Sequence, residues 1–193
     1  MLGDPCPRTP PVRPFDRTHV VTAVGLAILT ITAFSRTIHW YFLSDDFVLL
    51  KHARSASSAF RPLFTAGGGD GFFRPIGYVS LAFTSVWAGV SPVLWHAPAL
   101  ALHIINSALV YMLAAVLGRS RMAAIFAAIL FAIHGTRPEA VVWIAGRFDL
   151  LSTFFVLCGL LFFVRSQNEL PATGSVYGFA SLSCMILAIL TKE

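Results

Sequence analysis

Charge is what this sequence has least of. Asp, Glu, Lys and Arg make up 12% of its 193 residues, about half the share usual in a soluble domain. Hydrophobic residues make up 56%, mean hydropathy is +0.75, and the apolar residues fall in long blocks. That excludes an ordinary soluble domain and defines a polytopic membrane protein. Cysteine is nearly absent too. Cys6, Cys158 and Cys184 lie in the N-terminal tail and in two apolar blocks, which suits neither a disulfide framework nor a zinc site. The formal net charge is +5, yet no basic stripe with interleaved aromatics is present, so nucleic acid is not the partner. The arginines instead set topology or bind phosphate. No internal repeat is visible.

What is present is a series of apolar blocks. Residues 1–17 are rich in proline and arginine and predict a short disordered cytoplasmic tail. Spans are expected near residues 19–35, 96–117, 122–134, 148–164 and 176–190, about five in all. A cleaved signal peptide is the rival reading of the first block, because Ala33-Phe34-Ser35 loosely resembles a cleavage site. Residues 36–95 form a long, mixed outer loop, in which Ile76–Val90 reads as an interfacial or partly inserted helix. The block Met122–Ile133 covers about 18 Å, well short of a hydrocarbon core of about 30 Å. Its helix must stop early or run into a polar pocket.

Arg119 and Arg121 sit in a tight turn, the kind of loop that governs membrane orientation. With that turn inside, Arg8, Arg13, Arg17 and Arg165 also fall inside. A plain count of Lys and Arg does not favour this orientation, but most of the outer ones lie in the long loop, where the rule is weak. The consequence is that Ser44–Asp46 (SDD), His134–Glu139 (HGTRPE), Gly146–Asp149 (GRFD) and Thr191–Glu193 (TKE) all reach the same outer face. Polar residues converging at span ends are what a membrane-embedded active site requires.

Each of these groups also has a plain structural explanation. Ser44 can cap a short helix with Asp45 and Asp46 in its positive first turn. Against that stands the aromatic setting of Trp40, Tyr41, Phe42 and Phe47, which points to a helix at the membrane interface. Adjacent helical residues point about 100° apart, so one carboxylate can serve as general base while the other holds a partner or a metal. Arg74 precedes Pro75 and is therefore expected outside a helix, aimed at a phosphate or at lipid headgroups. His103 and Asn106 lie on one helical face within a span and read equally as an interhelix hydrogen-bonding pair. The richest stretch, HGTRPEAVVWIAGRFD, packs His134, Arg137, Glu139, Arg147 and Asp149 between two apolar helices. Ion pairing is its plain explanation. Retention of Val141–Ile144 between two charged clusters favours an irregular segment lining a cavity. Lys192 and Glu193 alone would be an ordinary span terminus.

Together SDD, FRPIGY (Phe73–Tyr78), HIINSALVYML (from His103), LFAIHGTRPEAVVWIAGRFDLLSTFF (from Leu130) and the closing LTKE resemble the TMTC-like membrane glycosyltransferases, protein O-mannosyltransferases of the GT-C superfamily. The resemblance runs in order from about Trp40 to Glu193. It implies an all-α polytopic helical bundle of GT-C type, with helices in the first extracytoplasmic loop. It also implies a sugar, mannose-like, carried on a polyprenyl phosphate, an inverting single displacement, and a protein or glycan acceptor on the non-cytoplasmic side. Carried over by position, Asp45 is the catalytic base with Asp46 beside it. Arg74, Arg137 and Arg147 face the lipid phosphate, and Glu139 and Asp149 orient them or the sugar. His103, Asn106, His134, Lys192 and Glu193 complete the expected substrate-binding set. No cofactor is implied beyond a possible divalent cation. Family members continue with further spans, so a partial chain is expected, and the Gly67–Gly71 loop has no counterpart in the family. Composition leans towards a bacterial inner membrane, with the endoplasmic reticulum membrane as the eukaryotic equivalent. A transporter would instead require polar clusters on both faces and inverted repeats. A non-catalytic membrane assembly subunit is the other alternative.

Overall fold

The computed structural model describes residues 17–54, 73–118, 120–134 and 137–192, with the backbone alone for Arg137 and Pro138. The N-terminal tail, Arg119, Glu193 and the Gly67–Gly71 loop lie outside these residues. All regular structure among the described residues is helical. The helices are α1 (Arg17–Phe34), a 3₁₀ turn (Thr37–His39), α2 (Asp46–Arg54), α3 (Pro75–Ala88), α4 (Pro92–Leu117), α5 (Arg121–Ile133), α6 (Arg137–Val142), α7 (Gly146–Ser166) and α8 (Pro171–Thr191). Among them α1, α4, α7 and α8 are long and apolar enough to cross a membrane, and α5 is a shorter apolar helix. The chain is thus an all-α membrane bundle.

The helices outrun the apolar blocks for a local reason. Proline stands in the first turn of α3, α4 and α8, where its fixed φ suits a helix and its missing N–H costs nothing. Helix α4 consequently begins at Pro92, upstream of the expected His96, and α8 at Pro171, upstream of Val176. Threonines inside the first span are satisfied locally. The hydroxyls of Thr22, Thr30 and Thr32 each donate to the carbonyl four residues back.

Side-chain ties fix how the spans run. His19 near the start of α1 meets Tyr111 in the second half of α4, at 2.9 Å from Nδ1 to the phenolic oxygen. Phe34 at the end of α1 meets His103 in the first half, at 5.3 Å between rings. These helices are therefore antiparallel. Helix α5 packs back along α4, with Ala124, Ala128 and Ala132 buried at four-residue spacing. Small side chains allow close approach, while Met122, Phe126 and Leu130 face outward. The pair α7 and α8 is also antiparallel. Ser181 donates to the Gly159 carbonyl at 2.8 Å and Ser152 to the Ala188 carbonyl at 3.2 Å.

One end of the bundle therefore collects the end of α1, the starts of α4 and α7, and the ends of α5 and α8. Its floor is an apolar cluster of Phe42, Leu49, Leu50 and Ala53 against Tyr78, Leu81, Trp95, Ile144 and Phe148. The opposite end holds Arg17, Arg121 and Arg165.

Candidate functional site

Two short segments build the site on that floor. The first follows the 3₁₀ turn and enters α2 through Leu43, Ser44 and Asp45. Ser44 has φ +44°, a left-handed conformation that costs a residue with a Cβ about 1–2 kcal/mol. The turn is closed by the Asp46 amide donating to the Leu43 carbonyl at 2.9 Å. Asp45 is exposed, but Asp46 turns inward and is 1% exposed. Its Oδ2 accepts from the Leu43 amide at 3.0 Å and its Oδ1 from the Ile144 amide at 3.1 Å. Burial raises the Asp46 pKa above the ordinary aspartate value, and the charge of Asp45 adds to the rise. The two backbone bonds pull the other way but do not prevail.

The second segment is the α6–α7 corner. Sequence reasoning expected irregular backbone here, and it takes the form of a six-residue helix, a sharp turn and the start of a span. The Trp143 and Ile144 carbonyls accept from the amides of Gly146 and Arg147 at 3.0 and 3.1 Å, so the corner retains its backbone pairing. Gly146 makes the corner possible. A Cβ there would lie 2.6 Å from the Ala140 carbonyl oxygen. Glu139 falls in the first turn of α6, where the helix dipole favours a carboxylate.

Between these segments lies an open, largely apolar cleft of about 370 Å³, lined by Trp40, Leu43, Ser44, Asp45, Glu139, Val142 and Trp143. The acidic doublet and the histidine–arginine–proline stretch thus meet at one end of the bundle. Asp45 and Glu139 line the cleft together, while Asp46 lies behind its wall. Trp40 and Trp143 are the residues that sequence reasoning did not single out for the site. The signal was the apolar run retained between charged clusters, which marked the cavity without naming its aromatic lining.

The cations are distributed differently from expectation. Arg147 was expected to face phosphate, but it is 0% exposed. Its Nη1 donates to the Thr84 hydroxyl at 2.7 Å, its Nη2 to the Trp95 carbonyl, and its guanidinium lies 5.9 Å from the Trp95 ring centroid. It joins α7 to α3 and α4. Arg74 has φ −128° and ψ 57°, outside the helix as a residue before proline should be. Its guanidinium lies 5.6 Å from the Phe148 ring centroid. Lys192 pairs with Asp149 across the α7–α8 interface, and both are substantially exposed. His134 follows α5 and is exposed. Arg137 contributes only backbone to the description, and Glu193 lies beyond it.

His103 and Asn106 are fully buried and tie helices together. His103 Nε2 lies 2.9 Å from the Ala132 carbonyl, near the end of α5 where carbonyls lack helical partners. Asn106 donates to the Leu150 carbonyl of α7 at 2.8 Å. Among the described residues no three His, Cys, Asp or Glu side chains are grouped to hold a metal ion. The cleft carboxylates, Asp45 and Glu139, are the two that a cation entering it would meet.

These features define a helical membrane bundle with an acidic, aromatic-lined cleft at one end. Comparison with known proteins gives the relationship. The chain is 34% identical over 128 residues to the fruit-fly protein O-mannosyl-transferase Tmtc1, covering 65% of this chain and 14% of that protein. It is 31% identical over 130 residues to mouse protein O-mannosyl-transferase TMTC1, covering 63% and 14%. Against human protein O-mannosyl-transferase TMTC3 it is 24% identical over 119 residues, covering 62% and 13%. The chain is therefore a relative of the TMTC-type protein O-mannosyl-transferases, matching about one seventh of the length of each. No family model matches the chain. No solved structure matches it either.

Proposed function

We propose that this chain carries the acidic part of a glycosyl-transfer site, which moves a mannose-like sugar from a polyprenyl phosphate to a protein or glycan hydroxyl. The observation that carries the reading is the shared cleft: Asp45 and Glu139, 94 positions apart in sequence, line one cavity together with Trp40 and Trp143. An apolar cleft at a span end suits a lipid-linked donor, and tryptophan faces suit a sugar ring. In the reaction the acceptor oxygen attacks the anomeric carbon as its bond to the phosphate oxygen breaks. The electron pair leaves with the polyprenyl phosphate, and Asp45 takes the hydroxyl proton. A phosphate leaving group needs little protonation but does need fixed positive charge. Arg74, Arg137 and Lys192, at the same end of the bundle, supply it. Arg147 supports them from beneath by holding α3, α4 and α7 together, and Glu139 orients the sugar or acceptor.

The cleft end faces away from the cytoplasm in this reading, because Arg17, Arg121 and Arg165 occupy the other. In a bacterium that is the outer face of the inner membrane; in a eukaryote it is the lumen of the endoplasmic reticulum. The test is transfer from a labelled polyprenyl-phosphate mannose by the full-length protein in lipid. Asp45→Asn is expected to lower kcat by about two to four orders of magnitude without altering expression. Unchanged transfer would remove Asp45 as the base.

A further inference from the structure

We propose that Asp46 is a positioning residue: by accepting from the Leu43 and Ile144 amides it pins the SDD loop to the α6–α7 corner, holding Asp45 across the cleft from Glu139. The assignment of Asp45 and Glu139 to a transfer reaction rests on the reading above. The fastening itself rests only on geometry.

Three features point to this division of labour between adjacent aspartates. Asp46 has one oxygen on each segment, at 3.0 and 3.1 Å, and both partners are backbone. The tie therefore fixes main chain against main chain, whatever side chains Leu43 and Ile144 carry. Secondly, Asp46 is 1% exposed, so it cannot reach a substrate in the cleft, whereas its exposed neighbour lines it. Thirdly, Ser44 beside it is held at φ +44°. Strained backbone persists only where the surroundings over-determine it, and Asp46 supplies one of the bonds that do so. Every other described residue between Leu43 and Asp46 is exposed. Without the tie, little would stop the turn from relaxing and swinging Asp45 away from the cleft.

Catalysis is sensitive to such placement, since a shift of about 1 Å can cost about a hundredfold in rate. The experiment uses the full-length protein in lipid and has two arms. In the first, Cys6, Cys158 and Cys184 are replaced by Ala, and Asp45→Cys with Glu139→Cys reports the cleft through bifunctional thiol reagents of two lengths. With Asp46 present, one length should be preferred. Asp46→Ala should abolish the preference while the thermal midpoint stays close to that of the parent. In the second arm the cysteines at 45 and 139 are absent. Asp46→Ala should lower kcat about a hundredfold with KM little changed, and Asp46→Asn, which keeps one carbonyl acceptor, should recover part of that loss. Should Asp46→Ala prevent folding, Asp46→Asn alone decides both arms by the same criteria at reduced amplitude. Unchanged cross-linking selectivity in both variants overturns the proposal. So does lost transfer with selectivity intact, which would place Asp46 in the chemistry itself. If selectivity is lost but Asp45→Asn still transfers sugar normally, the fastening stands and the reaction assigned to the cleft fails.

Discussion

At the scale of single residues, Asp45 and Asp46 show how little adjacency in sequence says about role. One carboxylate is exposed on the cleft and the other is sealed against two amides. Burial raises the Asp46 pKa, so the folded protein holds that proton to a higher pH than the unfolded chain does. Its contribution to stability is therefore fully present below the unfolded value and is lost as pH rises through the raised native value. Asp46→Asn cannot titrate. Thermal unfolding in detergent should show wild type gaining on Asp46→Asn as pH falls from about 7 to about 4. A flat or opposite trend would mean that the carboxylate is better solvated than its burial indicates. The sequence made the acidic pair conspicuous because charge is so scarce around it, but not which member lies inside. That depends on the Ile144 amide, which no local pattern reveals. Arg147 is the same case. Its charge drew attention in the sequence, while its cradle of Thr84 and Trp95 lies on two helices with nothing to mark them beforehand.

At the scale of elements, the apolar blocks foretold about five spans, and the structure has four long helices and a short one where Met122–Ile133 ran out. Helix ends were less legible, since Pro92 and Pro171 extend α4 and α8 beyond the apolar runs. The α6–α7 corner was read as irregular because its charges and glycines hid a two-turn helix. The short α5 depends on close packing, with Ala128 0% exposed on the face that meets α4. Ala128→Leu should therefore destabilise by about 1–3 kcal/mol through overpacking. The outward Phe126→Leu on the same helix should change stability by less than about 0.5 kcal/mol. Paired denaturation curves in one detergent would check both. Similar effects at the two positions would mean that α5 does not seat on α4 through its alanines. His103, on the Ala132 carbonyl, shows the other requirement of a short membrane helix, an end of unpaired carbonyls to which a neighbour must donate.

At the scale of the whole molecule, the charged and polar groups sort to the two ends of the bundle, with Asp45, Glu139, Asp149 and Lys192 at one and Arg17, Arg121 and Arg165 at the other. If the ends lie on opposite sides of a membrane, single cysteines should distinguish them. In sealed right-side-out vesicles, an impermeant thiol reagent should label a cysteine at Asp45 or His134. It should label one at Arg121 or Gln167 only after the membrane is opened. Labelling of all four from one side would break the proposed topology. The convergence was legible in outline, because antiparallel spans with short turns leave only two ends to fill. A cavity was legible too, but its shape and lining were not, because its walls are a loop and a six-residue helix set by tertiary contact.

The link from Asp46 to Ile144 joins positions 98 residues apart, which gives it a place in time as well as in space. A ribosome adding about 5–20 residues per second needs about 5–20 s to cover that interval. Throughout it the aspartate has been made and its second amide has not. The early loop must therefore wait, partly fastened, beside helices already entering the bilayer, and the cleft can take its geometry only once the α6–α7 corner has been made.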